Sequence, residues 1–386
     1  MKSPDNPKIL AKNRKIGTNA KIAEDVIIEC NDLTIADNVS IGIRTEENFR
    51  SVAGVVIKVE KLVLEDGVTI GRGVTIKGGT IHLAQNTKIK SNNTINVVDK
   101  LEIGKYGTIN EHCEISGRDI TIGQELWMLP YTKIGGGNAF EVFSKLCIGH
   151  YCHIGMYCLI NTSRPVYIGD EVGLGTRTML YTHGAYSSAL KGFPVAFGEI
   201  HVGSYTWIPG AVVTPGVRIG KNCVIGVNSL VNKDVPDGSF AAGSPANIIK
   251  QNAFPREFTP EQRADFFRGF LQTFAGICSD KFDQHCITGS NVISFQGDNT
   301  TILFKEQLQN QDLNDDQNRR LLIVYTNDVL ADNVGNWDKN VTIFDLKKKY
   351  IYGFADDPSE LLVNQLRRYG MRFYSRCQGK AYVKWA

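Results

Sequence analysis

Between residues 101 and 231 an aliphatic residue recurs at every sixth position, a period that few folds accommodate. Ile103, Ile109 and Ile115 form one set, and Ile122, Met128 and Ile134 the next. Ile148, Ile154 and Ile160 follow, then Ile168, Leu174 and Leu180. Val202 and Ile208 open another set, and Ile219, Ile225 and Val231 close the series. Six is neither the 3.6 of an amphipathic helix nor the 2 of an ordinary strand. It suits short strands joined by tight turns, three to a triangular coil, with the aliphatic residues stacked along the axis. Glycine follows many of them, among them Gly104, Gly123, Gly155 and Gly203. Its expected role is to take turn conformations closed to a residue with a Cβ. A weaker beat begins near Ile16 and runs through Ile28, Ile41, Ile70 and Ile95. A mainly β solenoid is therefore expected over most of 16–250, within a first domain drawn at 1–250. Residues 42–56 and 182–200 break the beat and are expected to loop out.

The beat stops after Asn247, and a second domain is expected over 255–386, of α/β or α+β type. Thr259-Pro260-Glu261-Gln262 reads as a helix start, with a Thr N-cap, Pro at N1 and Gln at N3. Phe266, Phe267, Phe270, Leu271 and Phe274 give that helix an apolar face. Strand-like runs follow at Asn291–Gln296, Thr301–Phe304, Leu321–Tyr325 and Val341–Phe344, and Asp357–Arg368 reads as a helix. No catalytic motif stands out there, so packing or assembly is its expected role.

Composition narrows the function classes. Of 386 residues, 42% are hydrophobic and 22% charged, as in a folded globular chain. A net charge of +3 gives no argument for nucleic acid or a membrane surface. Residues 1–15 lack the apolar centre of a secretory signal. No apolar run approaches the ~20 residues that cross a bilayer. Nine scattered cysteines fit reduced thiols, hence a cytoplasmic location. Cys113, Cys152, Cys158 and Cys223 each precede an axial Ile by two positions, where a small hydrophobe fits. A zinc site built from Cys147, Cys152 and Cys158 would lack any CxxC pair, and no metal is expected.

One segment is more specific. It contains Trp207-Ile208, Pro215-Gly216-Val217-Arg218-Ile219-Gly220, Val224-Ile225-Gly226, Val231-Asn232-Lys233-Asp234-Val235-Pro236 and Ala242-Gly243-Ser244-Pro245-Ala246. This run resembles the hexapeptide-repeat acyltransferases, which include sugar, serine, xenobiotic and surface-polysaccharide acetyltransferases. The resemblance covers roughly residues 146–250. It implies a left-handed parallel β-helix and a homotrimer, with acetyl-CoA as co-substrate in a groove between helices. It implies direct acetyl transfer to a saccharide hydroxyl, with capsular or other surface polysaccharide among the acceptors. An amino-sugar N-acyltransferase and an inactive β-helix scaffold or binding module are the alternatives. A γ-class carbonic anhydrase shares the helix, but its HxxxxH pair is missing.

The resemblance places the catalytic base at His183, at the root of the 182–200 interruption. The chemistry agrees: imidazole accepts a proton near neutral pH, and a hydroxyl needs a positioned base to become a nucleophile. Asn161 matches an acceptor-contacting Asn, and it equally suits an internal ladder or a turn. Tyr186, in the loop, is a further acceptor-side candidate. Where the family carries an acidic residue after this Asn, Arg164 stands instead. For acetyl-CoA the resemblance implies Trp207, Gly210, Val227, Asn232, Lys233 and Lys250, the lysines toward the nucleotide phosphates.

Overall fold

The computed structural model describes residues 6–44, 53–282, 286–289, 292–295, 300–305, 320–325, 340–378 and 381–384. The chain divides into two compact units, Met1–Arg256 and Glu257–Ala386.

The first unit is a parallel β-solenoid with three faces. On the first face the register stacks Ile9, Ile28, Ile57, Ile76, Ile95, Ile115, Ile134, Ile160, Leu180, Val213 and Val231. The second face stacks Ile22 through Ile109, Met128, Ile154, Leu174 and Ile208. The third runs from Ile16 and Ile35 through Ile103, Ile122, Ile148, Ile168, Val202 and Ile219. Nearly all of these side chains are fully buried in one continuous core. Apolar burial of a whole Ile or Leu is worth about 1.5–3 kcal/mol, so the column as a whole, rather than any single coil, holds the stack together.

In the N-terminal coils the first and third faces belong to one nine-residue strand, as in Ile27–Ile35, Val56–Leu64 and Thr75–Leu83. The strand bends round the corner at exposed residues instead of turning. That corner uses one extra residue, which is why seven positions separate Ile28 from Ile35. From Lys133 onward the strand splits in two, and loops leave the corner between the first and third faces.

The register locates the interruptions. Most coils advance by 18–20 residues along the first face, but the step from Ile28 to Ile57 is 29 and that from Leu180 to Val213 is 33. These steps fall where loops at 42–56 and 182–200 are expected; residues 45–52 of the first lie outside the described residues. A third long step, from Ile134 to Ile160, was not anticipated. It contains residues 135–144, an extra loop before strand Lys145–Ile148.

The glycines correct one expectation. After the axial residues they do not generally supply a left-handed backbone; corner positions such as Asn86, Tyr131, Tyr157 and Asn228 do, at φ near +60°. The glycines are required by contact with the next coil. A Cβ on Gly104 would lie 2.5 Å from the Gln124 nitrogen, and on Gly155 2.5 Å from that of Thr176.

Cys113, Cys152, Cys158 and Cys223 are buried as expected, each thiol donating to a carbonyl of the coil above. Burial pushes the Cys113 and Cys158 thiols up to about 11. Such a thiol ionises near 9 once unfolded, so its contribution is complete below pH 9 and is lost as pH rises toward 11. The expected result is a steeper fall of unfolding free energy between pH 9 and 11 in the wild type than in a Cys113→Ala/Cys158→Ala variant. The difference should be on the order of 2 kcal/mol per thiol. Equal slopes in parallel denaturant titrations would show that burial of these thiols does not resist ionisation.

The second unit is a helix-and-sheet domain. Helix α1 (Pro260–Phe282) starts as read, the Gln262 N–H donating to Thr259 Oγ1 and the Thr259 N–H to Gln262 Oε1. Its Phe267, Phe270, Leu271 and Phe274 are buried. Strands Thr300–Lys305, Arg320–Tyr325 and Val341–Asp345 run parallel in the middle of a six-stranded sheet with antiparallel edges. The strand at Val292–Phe295 falls within the expected Asn291–Gln296, whose end residues lie outside the described residues. Helix α2 (Asp357–Arg368) has the expected span and carries a capping box at Asp356 and Ser359.

Candidate active site

Three successive coils turn at the corner between the first and third faces. They do so at 135–144, after Ile134; at 161–165, after Ile160; and at 181–199, after Leu180. Stacking therefore brings together segments some twenty or more residues apart, and His183 lies where they meet.

The 181–199 segment is a short antiparallel ribbon, His183–Gly184 against Ala196–Phe197. His183 Nδ1 lies 2.9 Å from Asn161 Oδ1 and 3.1 Å from Ser163 Oγ. Asn161 is only 3% exposed, and its carboxamide is engaged on both sides. Its Nδ2 donates to the carbonyls of Gly136 at 3.1 Å and Gly135 at 3.4 Å. Its Oδ1 accepts from Thr182 Oγ1 at 2.6 Å and from the Ser163 N–H at 3.3 Å. Carbonyls cannot donate and a backbone N–H cannot accept, so the amide has one allowed orientation. An oxygen then faces the imidazole at Nδ1, which favours the tautomer with its proton there and its lone pair on Nε2. No carboxylate hydrogen-bonds this ring among the described residues.

Gly137 lies close beside the imidazole. Its φ is +53°, and a Cβ there would lie 2.7 Å from His183 Cε1 and 3.1 Å from Nε2. Arg164 lies on the other coil of the same corner. Its guanidinium carbon is 4.5 Å from the centre of the Phe143 ring and 4.6 Å from that of Phe197. The Phe197 ring in turn stacks on His183, with centroids 6.1 Å apart.

A groove of about 600 Å³ runs along a different corner, between the second and first faces. Its lining includes Tyr157, Arg177, Gly210, Val227, Ser229 and Ser244. Gly210 lines it with φ +137°, and its carbonyl accepts from the Asn228 N–H. Val227 is 64% exposed. Arg177 and His183 are six positions apart in the chain, at most about 22 Å when extended, across the first face.

The sequence-derived candidates thus fall into three groups. His183 and Asn161 meet, but Asn161 faces the imidazole with a carboxamide already satisfied within the chain. Gly210 and Val227 meet in the groove. Trp207, Asn232, Lys233 and Lys250 are exposed and do not line it, and Tyr186 is fully exposed on the loop, away from the His183 contacts. Sequence reasoning missed Ser163, Thr182, Gly137 and Arg177. The Gly135-Gly136-Gly137 run and the Thr-His pair were the available signals. Among the described residues no group of three or more His, Cys, Asp or Glu is placed to hold a metal ion. Among them, too, no helix is long and apolar enough to cross a membrane.

No protein-family model matches the chain. It is 47% identical over 70 residues to a protein of Staphylococcus aureus strain COL named as an acetyltransferase, covering 17% of this chain and 35% of that one. It is 34% identical over 89 residues to the galactoside O-acetyltransferase of Lactococcus lactis, covering 22% and 43%. A solved galactoside acetyltransferase in complex with coenzyme A superposes with a TM-score of 0.31 at 26% identity, over 37% of this chain and 70% of the other. The chain spans less than half the length of these curated relatives.

Proposed function

We propose that the chain is a hexapeptide-repeat, acetyl-CoA-dependent O-acetyltransferase acting on a saccharide hydroxyl, with His183 as general base. One observation carries this reading: Asn161 Oδ1 lies 2.9 Å from His183 Nδ1, and an oxygen there favours the proton on Nδ1 and the lone pair on Nε2. That is the tautomer a general base needs. In the proposed step Nε2 takes the hydroxyl proton as the acceptor oxygen attacks the thioester carbonyl. A backbone N–H steadies the oxyanion, the C–S bond breaks, and the imidazolium returns the proton to the departing thiolate. Direct transfer is favoured over an acyl-enzyme because no cysteine contacts His183 among the described residues, and the hydroxyl that does, Ser163 Oγ, lies at Nδ1 and not at the Nε2 that would take the proton.

Acetyl-CoA would lie in the groove at Gly210 and Val227, with Arg177, Lys233 and Lys250 toward its phosphates. Since base and groove occupy different corners, we propose a homotrimer in which the groove of one chain faces His183 of the next. Reduced cysteines fit work in the cytoplasm.

The test is release of the CoA thiol with a panel of hydroxyl and amine saccharides. Transfer to hydroxyls supports the reading, transfer to amines alone would make the protein an N-acyltransferase, and none would leave a scaffold. The shared site has its own test. Refolding His183→Ala chains together with Val227→Trp chains should restore activity that neither has alone, and a fully active monomer in sedimentation would defeat it. Lys233→Ala should raise KM for acetyl-CoA a few-fold to tenfold with kcat largely kept, as loss of an exposed charge contact on the order of 1 kcal/mol requires. The effect should shrink at high salt. An unchanged KM would make Lys233 a surface lysine.

A further inference from the structure

We propose that Arg164 selects an acceptor carrying a carboxylate near the hydroxyl that is acylated, a carboxylated pyranose rather than a neutral sugar; this rests on His183 being the base of an acyl transfer. Arg164 is tied to the base from both ends. Its backbone N–H donates to Thr182 Oγ1 at 3.1 Å, and that hydroxyl donates to the Asn161 oxygen that orients His183. It follows Ser163, whose hydroxyl is 3.1 Å from His183 Nδ1.

The guanidinium packs on the rings of both Phe143 and Phe197, contributed by the two loops on either side. One of its five N–H groups is used, by the Ser163 carbonyl at 2.7 Å. No carboxylate hydrogen-bonds it among the described residues. The two rings pack against the guanidinium carbon, and apart from the bond to the Ser163 carbonyl its N–H groups have no side-chain or carbonyl partner among the described residues. The N–H edge of the fork is the part of arginine that binds a carboxylate through two parallel hydrogen bonds. Cation–π contact and stacking keep the fork in place before any ligand arrives.

Phe197 touches both groups, so the guanidinium carbon and the imidazole centre are no more than about 11 Å apart. A single sugar ring with a hydrogen bond at each end spans such a distance. A hydroxyl on Nε2 and a carboxylate on Arg164 can therefore belong to one residue of an acidic saccharide. A structural role alone, as a spacer between two phenylalanines, needs no charge and no open fork.

The test measures binding directly, so it does not depend on turnover. Calorimetry on the full chain would compare methyl galacturonide with methyl galactoside, and methyl glucuronide with methyl glucoside. At least one uronide should bind tenfold or more tightly than its neutral partner, with the preference shrinking at high salt. Arg164→Met keeps the length and the contact with the rings. It should abolish the preference and leave the neutral sugars unaffected, while Arg164→Lys should retain part of it. Equal binding of acidic and neutral sugars by the wild type, no binding of either uronide, or a preference that survives in Arg164→Met would each overturn the proposal. An intact preference in a protein that releases no CoA would count against the acyl-transfer reading alone.

Discussion

His183→Ala is expected to lower kcat by roughly 10²–10⁴-fold, the range a positioned general base supplies, while the protein unfolds at its usual temperature. The imidazole is part-exposed at the base of a short ribbon and belongs to none of the stacked core columns. Its removal therefore takes nothing from the solenoid core. The neighbours lose one hydrogen bond each, and Asn161 Oδ1 keeps Thr182 and Ser163. KM for acetyl-CoA should be unchanged, because His183 does not line the groove. Near-normal turnover by a well-folded His183→Ala protein would remove the base from the proposed mechanism.

Asn161→Leu is expected to be the next most damaging change, and in two ways. The leucine leaves the Ser163 N–H and the Gly136 carbonyl facing an apolar side chain inside a buried corner. Each unsatisfied group costs about 1–3 kcal/mol, so a loss of roughly 2–4 kcal/mol in unfolding free energy is expected. The second effect is on the ring. With only the Ser163 hydroxyl left at Nδ1, a group that donates as well as accepts, the proton is free to move to Nε2, and a larger share of molecules hold the wrong tautomer or rotamer. We expect kcat to fall by about 10–100-fold while KM for the acceptor stays nearly constant. The split matters because the resemblance alone points to Asn161 as an acceptor contact. A large rise in acceptor KM with kcat retained would restore that role and defeat the positioning one.

The solenoid was legible because its three columns are written in the spacing of Ile, Leu and Val, and period depends on no partner. The start of α1 was legible for the same reason, since Thr259 and Gln262 are three apart and satisfy each other. The loop at 135–144 was not. Its only trace is the 14-residue step from Ile134 to Ile148, where the neighbouring sets are seven or eight apart, and that step alone does not tell an insertion from a missed repeat. The network around His183 was invisible because it is vertical. Asn161 and His183 are 22 residues apart, and their contact follows from which coil lies on which, with inserted loops between. The glycines misled in the opposite direction: their role was read as local, whereas at Gly104 and Gly155 the limiting contact is with the coil above.

A stack of this kind works as a set of polar coordinates. The count of residues along a coil fixes the angle at which a side chain leaves the axis, and the number of coils beneath fixes its altitude. The two barely interact, because a segment extruded at one corner leaves every axial residue above and below it in register, as Leu180 and Val213 pair directly despite the 33-residue step between them. Chemistry can therefore be assembled by inserting chain at a single angle on adjacent storeys, without redesigning the core. Phe143 and Phe197, brought from two such insertions onto the guanidinium of the storey between, are a product of that freedom. Moving the 181–199 ribbon one coil down would keep its bearing and change only which neighbours it meets.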